Sequence, residues 1–167
     1  MAAFSNSPDL VDQLSEKLRN RKWKLVTAES CTGGMIATAI TDKAGSSEVF
    51  DRGFVTYSNQ AKIDCLNVSA DTLKKFGAVS KETAIEMANG ALKNSNANIS
   101  IAVTGIAGPG GGTPQKPVGL VHIGFGLKGG VTQAKTFNFS GMSREDVRLN
   151  TTRQAFKILL SILEPQL

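Results

Sequence analysis

The segment Glu29-Ser30-Cys31-Thr32-Gly33-Gly34 sets a hydroxyl beside a thiol just where a short apolar run gives way to Met35–Ile40. In a strand-to-helix turn a side chain can project while amides at the helix start point at a negative oxygen, and Gly33 and Gly34 permit close backbone approach. That combination suits nucleophilic catalysis, which needs a nucleophile, a base that takes its proton and returns it to the leaving group, and donors for the developing oxyanion. Ser30 competes here with Cys31, because a thiol at a helix start is acidified and intrinsically the better nucleophile, while a serine at that place also reads as a plain helix cap. His122 is the only histidine. It lies in a strand-like run, so a Ser-His-Asp triad would hang on a residue better suited to packing. A lysine whose pKa is lowered by burial or by a neighbouring cation is the other available base.

The run Gly105–Pro117 is a long Gly- and Pro-rich loop of the kind retained for function. No Gly-Lys-Ser/Thr follows it, and its spacing is not that of a dinucleotide-binding turn, so it reads as the wall of a substrate pocket. No His, Cys, Asp and Glu residues share metal-ligand spacing, and neither a metal nor a cofactor is expected. Cys31 and Cys65 are the only cysteines, too few for a disulfide framework, which points to a reducing cytoplasm. A formal charge of +5 favours anions, but with 6% aromatic residues and no basic run interleaved with them, nucleic acid is not expected as a partner. Met1–Asn20 lacks the pattern of an export signal, and no run of about 18 apolar residues occurs, so no membrane partner is expected either.

Elements able to position these residues follow from periodicity. Ser7-Pro8-Asp9 opens a helix carrying Leu10, Leu14 and Leu18, and Trp23–Ala28 reads as a strand ending at the Ser30 turn. Phe54–Tyr57 reads as a second strand, Asn59–Leu66 as a helix capped by Ser58, and Asp71–Phe76 as another helical stretch. Ser80 caps a helix through Lys93, on which Ala84, Met87, Ala88, Ala91 and Leu92 form an apolar stripe. Ile99–Thr104 is a strand, and Gly119–Leu127 with Val131–Phe139 an antiparallel hairpin. Ser143 and Asp146 form a capping box for a last helix that buries Val147, Ala155, Ile158, Leu159 and Ile162. This order predicts an α/β fold: one domain over residues 1–167, a three-layer α/β/α sandwich with an open mixed sheet that includes the hairpin.

Five blocks then fall in register: A-E-S-C-T-G-G at Ala28–Gly34, Y-S-N-Q-A-K at Tyr57–Lys62, G-A-V-S at Gly77–Ser80, T-G-I-A-G-P-G-G-G at Thr104–Gly112 and K-P-V-G at Lys116–Gly119. Together they resemble the CinA carboxy-terminal domain family, from about Leu25 to the final helix. The family's characterised activity is that of a nicotinamide-nucleotide amidohydrolase, so the resemblance implies hydrolysis of the carboxamide of nicotinamide mononucleotide to nicotinate mononucleotide and ammonia. It further implies that Lys62 pairs with Ser30, that the Tyr57 hydroxyl relays or orients protons in that pair, and that Thr104 hydrogen-bonds at the reacting centre. Longer members carry a second, pterin-site-like domain ahead of this one, and this chain is expected to be the stand-alone form.

The substrate rests on resemblance alone, since a Ser-Lys site fits many amides. Two other readings stay open: a hydrolase of a different small amide, and a non-catalytic module of a DNA-uptake or damage pathway, suggested by the family's competence-linked name and the basic charge. A homo-oligomer is compatible with all three. Gly33, Gly34 and Gly105 are expected to line the substrate. Arg144 and Arg148, four residues apart on one helix face, are expected to hold its phosphate, because cations in the first turns oppose the helix macrodipole and an anion there resolves the conflict. Where the family has a shorter spacing, this chain has Gly141-Met142-Ser143 before Arg144, an extra residue that bears on the arginine's reach.

Overall fold

The computed structural model of the chain describes residues 8–164; Ser7, expected at the first helix start, lies outside them. Helix α1 (Pro8–Arg21) leads into strand β1 (Leu25–Glu29), followed by α2 (Met35–Thr41), β2 (Phe50–Val55), α3 (Asn59–Leu66), α4 (Ala70–Phe76) and α5 (Lys81–Lys93). Then come β3 (Ile99–Gly105), the antiparallel pair β4 (Leu120–Leu127) and β5 (Gln133–Asn138), and α6 (Arg144–Ile162). The sheet runs β2-β1-β3-β4-β5. Its β1 is parallel to β2 and β3, and β4 is antiparallel to β3.

The two faces bury different clusters. Helices α1, α2 and α6 cover one face with Leu14, Leu18, Ile36 and Phe156, while α3, α4 and α5 cover the other with Leu66, Leu73, Met87 and Ala91. The predicted three-layer α/β/α sandwich with a mixed sheet and a hairpin is therefore observed. No helix among the described residues is long and apolar enough to cross a membrane.

Serines open most of the helices. Ser58, Ser80 and Ser143 accept from the amides of Ala61, Thr83 and Asp146, as expected, and Ser69 caps α4, a start the sequence reading left without a cap. On α6 the predicted buried face holds except at Ile162, which is only partly covered because the chain turns there and Leu163 takes the buried place.

The second strand departs more. It spans Phe50–Val55 rather than Phe54–Tyr57, leaving Tyr57 beyond its end. The physical reason is its edge position: Asp51 and Arg52 pair with each other at 2.7 Å, Arg52 also donates to the Asn94 carbonyl at 3.0 Å, and an edge strand needs no apolar alternation.

Helix α5 locks the layer that carries α3. A Cβ on Gly90 would sit 1.8 Å from the Leu66 carbonyl oxygen of α3, and one on Gly124 would sit 2.1 Å from the Ala84 carbonyl oxygen of α5. Backbone meets backbone at both crossings, so neither can absorb a methyl group by a rotamer change. Gly90→Ala is expected to destabilise the fold by about 3 kcal/mol, read as a lowered thermal midpoint, whereas Gly110→Ala, with nothing within 4 Å of its Cβ, should change stability by under about 0.5 kcal/mol. Equal midpoints for the two variants would mean that α5 is not held at backbone contact.

Candidate active site

Ser30 follows the last residue of β1, and its amide donates to the Val103 carbonyl at 3.0 Å. The serine is thereby pinned outside the carboxyl ends of the parallel strands β1 and β3, where open α/β sheets bind ligands. From the opposite layer Lys62, on the capped first turns of α3, reaches in: its Nζ lies 3.1 Å from Ser30 Oγ, 2.7 Å from the Thr56 carbonyl oxygen and 3.3 Å from the Tyr57 carbonyl oxygen. Lys62 is only 1% exposed, and no carboxylate among the described residues lies within ion-pair distance of it. Burial without a counter-anion lowers its pKa from the usual 10.5, against a weaker opposing pull from the Cys31 sulfur. A neutral amine has two N–H groups and one lone pair. The two carbonyls take the N–H groups, and the lone pair is left for the serine proton.

The turn after Ser30 is held from two sides. Glu29, fully buried, accepts through Oε2 from the Thr32 hydroxyl at 2.7 Å and the Gly34 and Ile36 amides at 3.0 and 3.1 Å, and through Oε1 from the Ala37 amide at 2.9 Å. The expectation that the helix-start amides receive a substrate oxyanion is therefore corrected: helix α2 begins only at Met35, whose amide donates to the Thr32 carbonyl, and the Gly34, Ile36 and Ala37 amides are filled by Glu29. On the other side Arg148 donates from Nε to the Cys31 carbonyl at 3.1 Å and from Nη2 to the Thr32 carbonyl at 3.0 Å. Among the described residues the Thr32 amide has no acceptor, and the Cys31 amide meets no acceptor beyond its own sulfur. Burial, aided by Glu29, pushes the Cys31 thiol up to about 11. It is a packed thiol with little thiolate at neutral pH.

The other predicted site residues are distributed more widely. Tyr57 is 62% exposed, and its hydroxyl accepts from Arg144 Nη2 at 3.1 Å; what touches Lys62 is its backbone carbonyl. Thr104 is buried and donates to the Ala78 carbonyl at 2.7 Å, beside Ser30 across the sheet but bonded to neither member of the pair. Gly105 stands where a Cβ would strike Val121 and Leu120, which is a packing reason for a glycine. Gly33, Gly34, Met35, Thr38, Arg144 and Arg148 line a cavity of about 490 Å3 beside the turn, whose walls include neither Ser30 nor Lys62. Arg144 also donates from Nη1 to the Gly108 carbonyl, outside that lining, at 2.7 Å. His122 sits half a sheet away on Thr136. Two blocks without an assigned task meet each other: Lys116 of K-P-V-G donates to the Phe76 carbonyl at 2.5 Å, against Gly77 of G-A-V-S.

Residues 8–163 match the family described as the CinA C-terminal domain. The chain belongs to that family. A crystal structure of the competence/damage inducible protein CihA from Agrobacterium tumefaciens superposes with a TM-score of 0.92 at 47% identity, covering 94% of this chain and 95% of that one. The nicotinamide-nucleotide amidohydrolase PncC of Enterobacter agglomerans is 51% identical over 141 residues, 84% of this chain and 85% of that protein. A competence-damage inducible protein of Caldicellulosiruptor saccharolyticus is 51% identical over 154 residues, 92% of this chain but 36% of its own length. The chain spans about a third of such longer relatives.

Within this CinA-family site, three contributors went unseen in the sequence. Glu29 is a charged residue closing an otherwise buried strand, a signal that could have marked it as a buried acceptor. Thr32 is fully buried and gives Glu29 a donor, and the Thr56 carbonyl is a backbone group with no sequence signature.

The lowered Lys62 pKa has a consequence for stability. Between its folded value and 10.5, the unfolded chain binds more protons than the folded one, so stability rises with pH in that window and is penalised below it. Relative to Lys62→Met, the wild-type chain should gain up to about 1.4 kcal/mol for each pH unit of the window crossed. Parallel stability curves for the two proteins between about pH 7 and 10 would show that the amine is not desolvated.

Proposed function

We propose that the chain hydrolyses a small carboxamide with Ser30 as nucleophile and Lys62 as base, and that the substrate is nicotinamide mononucleotide. The observation that carries the chemistry is the 3.1 Å approach of a buried, unpaired lysine amine to Ser30 Oγ. The substrate follows from similarity to the Enterobacter agglomerans protein.

Ser30 Oγ attacks the amide carbon while its proton passes to Lys62 Nζ, and the carbonyl oxygen becomes an oxyanion facing the turn. Lys62 then protonates the amide nitrogen, the C–N bond breaks, and ammonia leaves. Water adds to the acyl ester, giving its proton to Lys62, and Ser30 recovers that proton as nicotinate mononucleotide departs. The positive pyridinium ring makes the amide carbon more electrophilic, which eases the first step. Arg144, at the start of α6, lines the cavity beside the turn, and its exposed guanidinium is the group assigned to the phosphate in this reading.

Purified chain should release ammonia from nicotinamide mononucleotide, with or without a chelator, at a rate that rises with pH as Lys62 loses its proton. Ser30→Ala and Lys62→Ala should each lower turnover by about 10³-fold or more. Arg144→Ala should cost about ten-fold in kcat/KM on the mononucleotide and little on the unphosphorylated riboside. Activity that survives Ser30→Ala, or that a divalent metal must restore, would overturn the mechanism; release from other amides but not this one would overturn the substrate.

A further inference from the structure

The Ser30 turn closes with the Gly33 amide donating to the Ser30 carbonyl at 3.1 Å. In such a turn the amide two residues on, that of Thr32, lies on the same side as the serine side chain, the arrangement that lets a serine hydroxyl bond it locally. Here that amide has no acceptor. The peptide groups can be followed from Arg148. Its Nε bonds the Cys31 carbonyl, whose own peptide group ends in the free Thr32 N–H. Its Nη2 bonds the Thr32 carbonyl, whose peptide group ends in the Gly33 N–H; that N–H bonds the Ser30 carbonyl, and the Ser30 peptide group ends in the Cys31 N–H. Both turn amides that lack an oxygen acceptor thus lie at the end of a short chain of peptide groups that starts on the same guanidinium.

Hydrogen bonds in such chains strengthen one another, and a charged donor on a carbonyl makes the N–H of the same peptide group a better donor. Glu29 meanwhile takes the amides of Gly34, Ile36 and Ala37, so the dipole of α2 is spent on a carboxylate. The positive character of the oxyanion site must come from elsewhere.

We infer that Arg148 is a positioning residue for the proposed hydrolysis: through the Cys31 and Thr32 carbonyls it fixes and polarises the Thr32 and Cys31 amides that receive the oxyanion. This rests on the Ser30 mechanism above. It assigns Arg148 a task other than holding the substrate's phosphate, and the two differ in kinetics. An oxyanion role lowers kcat equally on the mononucleotide and the riboside with KM little changed, because the interaction is realised in the transition state.

The test uses the full chain with Arg148→Ala and Arg148→Lys. Arg148→Ala should lose about 10²-fold in kcat on both substrates, methylguanidinium should restore about a tenth of it or more, and methylammonium should not. Arg148→Lys, which keeps the charge but not the fork that spans two carbonyls, should stay folded and recover little. In amide NMR spectra of either variant, the Thr32 and Cys31 proton resonances should move upfield, a readout independent of turnover. A raised KM on the mononucleotide alone, or unmoved resonances, would overturn the inference while leaving the Ser30 mechanism standing. Absence of ammonia release by the wild-type chain would sink that mechanism instead, and the resonances would still decide whether Arg148 polarises the turn.

Discussion

Everything in the site depends on burying one amine without an anion beside it. An ammonium moved out of water costs several kcal/mol unless it is paired, and Lys62 has only carbonyl and hydroxyl oxygens around it. The protein meets that cost by favouring the neutral form, which is the form a general base requires. The same burial therefore favours an amine lone pair beside Ser30 and weakens the fold. Rigid surroundings must offset it: the Ser58 cap sets the first turn of α3, and Gly90 brings α5 against its last residue at backbone distance.

The second dependency is polarity along the turn. Between Glu29 and Met35 the chain has few regular hydrogen bonds, and buried peptide groups must be satisfied somehow. Amides go to a buried carboxylate and carbonyls to a guanidinium, so the turn is stretched between an acceptor on its own strand and a donor on α6. Ser30, β1 and α6 are thus tied together although α6 is more than a hundred residues away in sequence, which makes the last helix part of the support of the Ser30 turn.

Much of this was legible in the chain itself. The layers followed from periodicities and the caps from serines ahead of helical patterns, while the approach of Lys62 to Ser30 was expected only through the family resemblance. The misses share a physical cause. The edge strand β2 escaped because an edge tolerates Asp51-Arg52-Gly53, and the bonds of Glu29 and Arg148 to the turn escaped because their partners are backbone groups, which no residue type announces. Tyr57 was singled out for its hydroxyl, yet the structure uses its carbonyl toward Lys62. Local pattern reports which side chains are unusual; it does not report which main-chain atoms they reach.

The fold gives the adjacent hydroxyl and thiol of Ser30 and Cys31 opposite surroundings. Intrinsic reactivity favours Cys31 over Ser30, and a helix start would favour it further. Yet successive residues at a strand end face opposite sides of the sheet. Glu29 turns toward α2, so Ser30 turns toward α3 and meets Lys62, and Cys31 turns back among Ile36, Val147 and Ala107 in the cluster on the α2 and α6 face. There it is desolvated and near a carboxylate, which raises the thiol instead of lowering it. The α2 dipole that would have stabilised a thiolate is already neutralised by Glu29. A one-residue shift of β1 would exchange the two side chains, so the register of Glu29 with Val103 and Val55 is what sets Ser30, and not Cys31, beside Lys62.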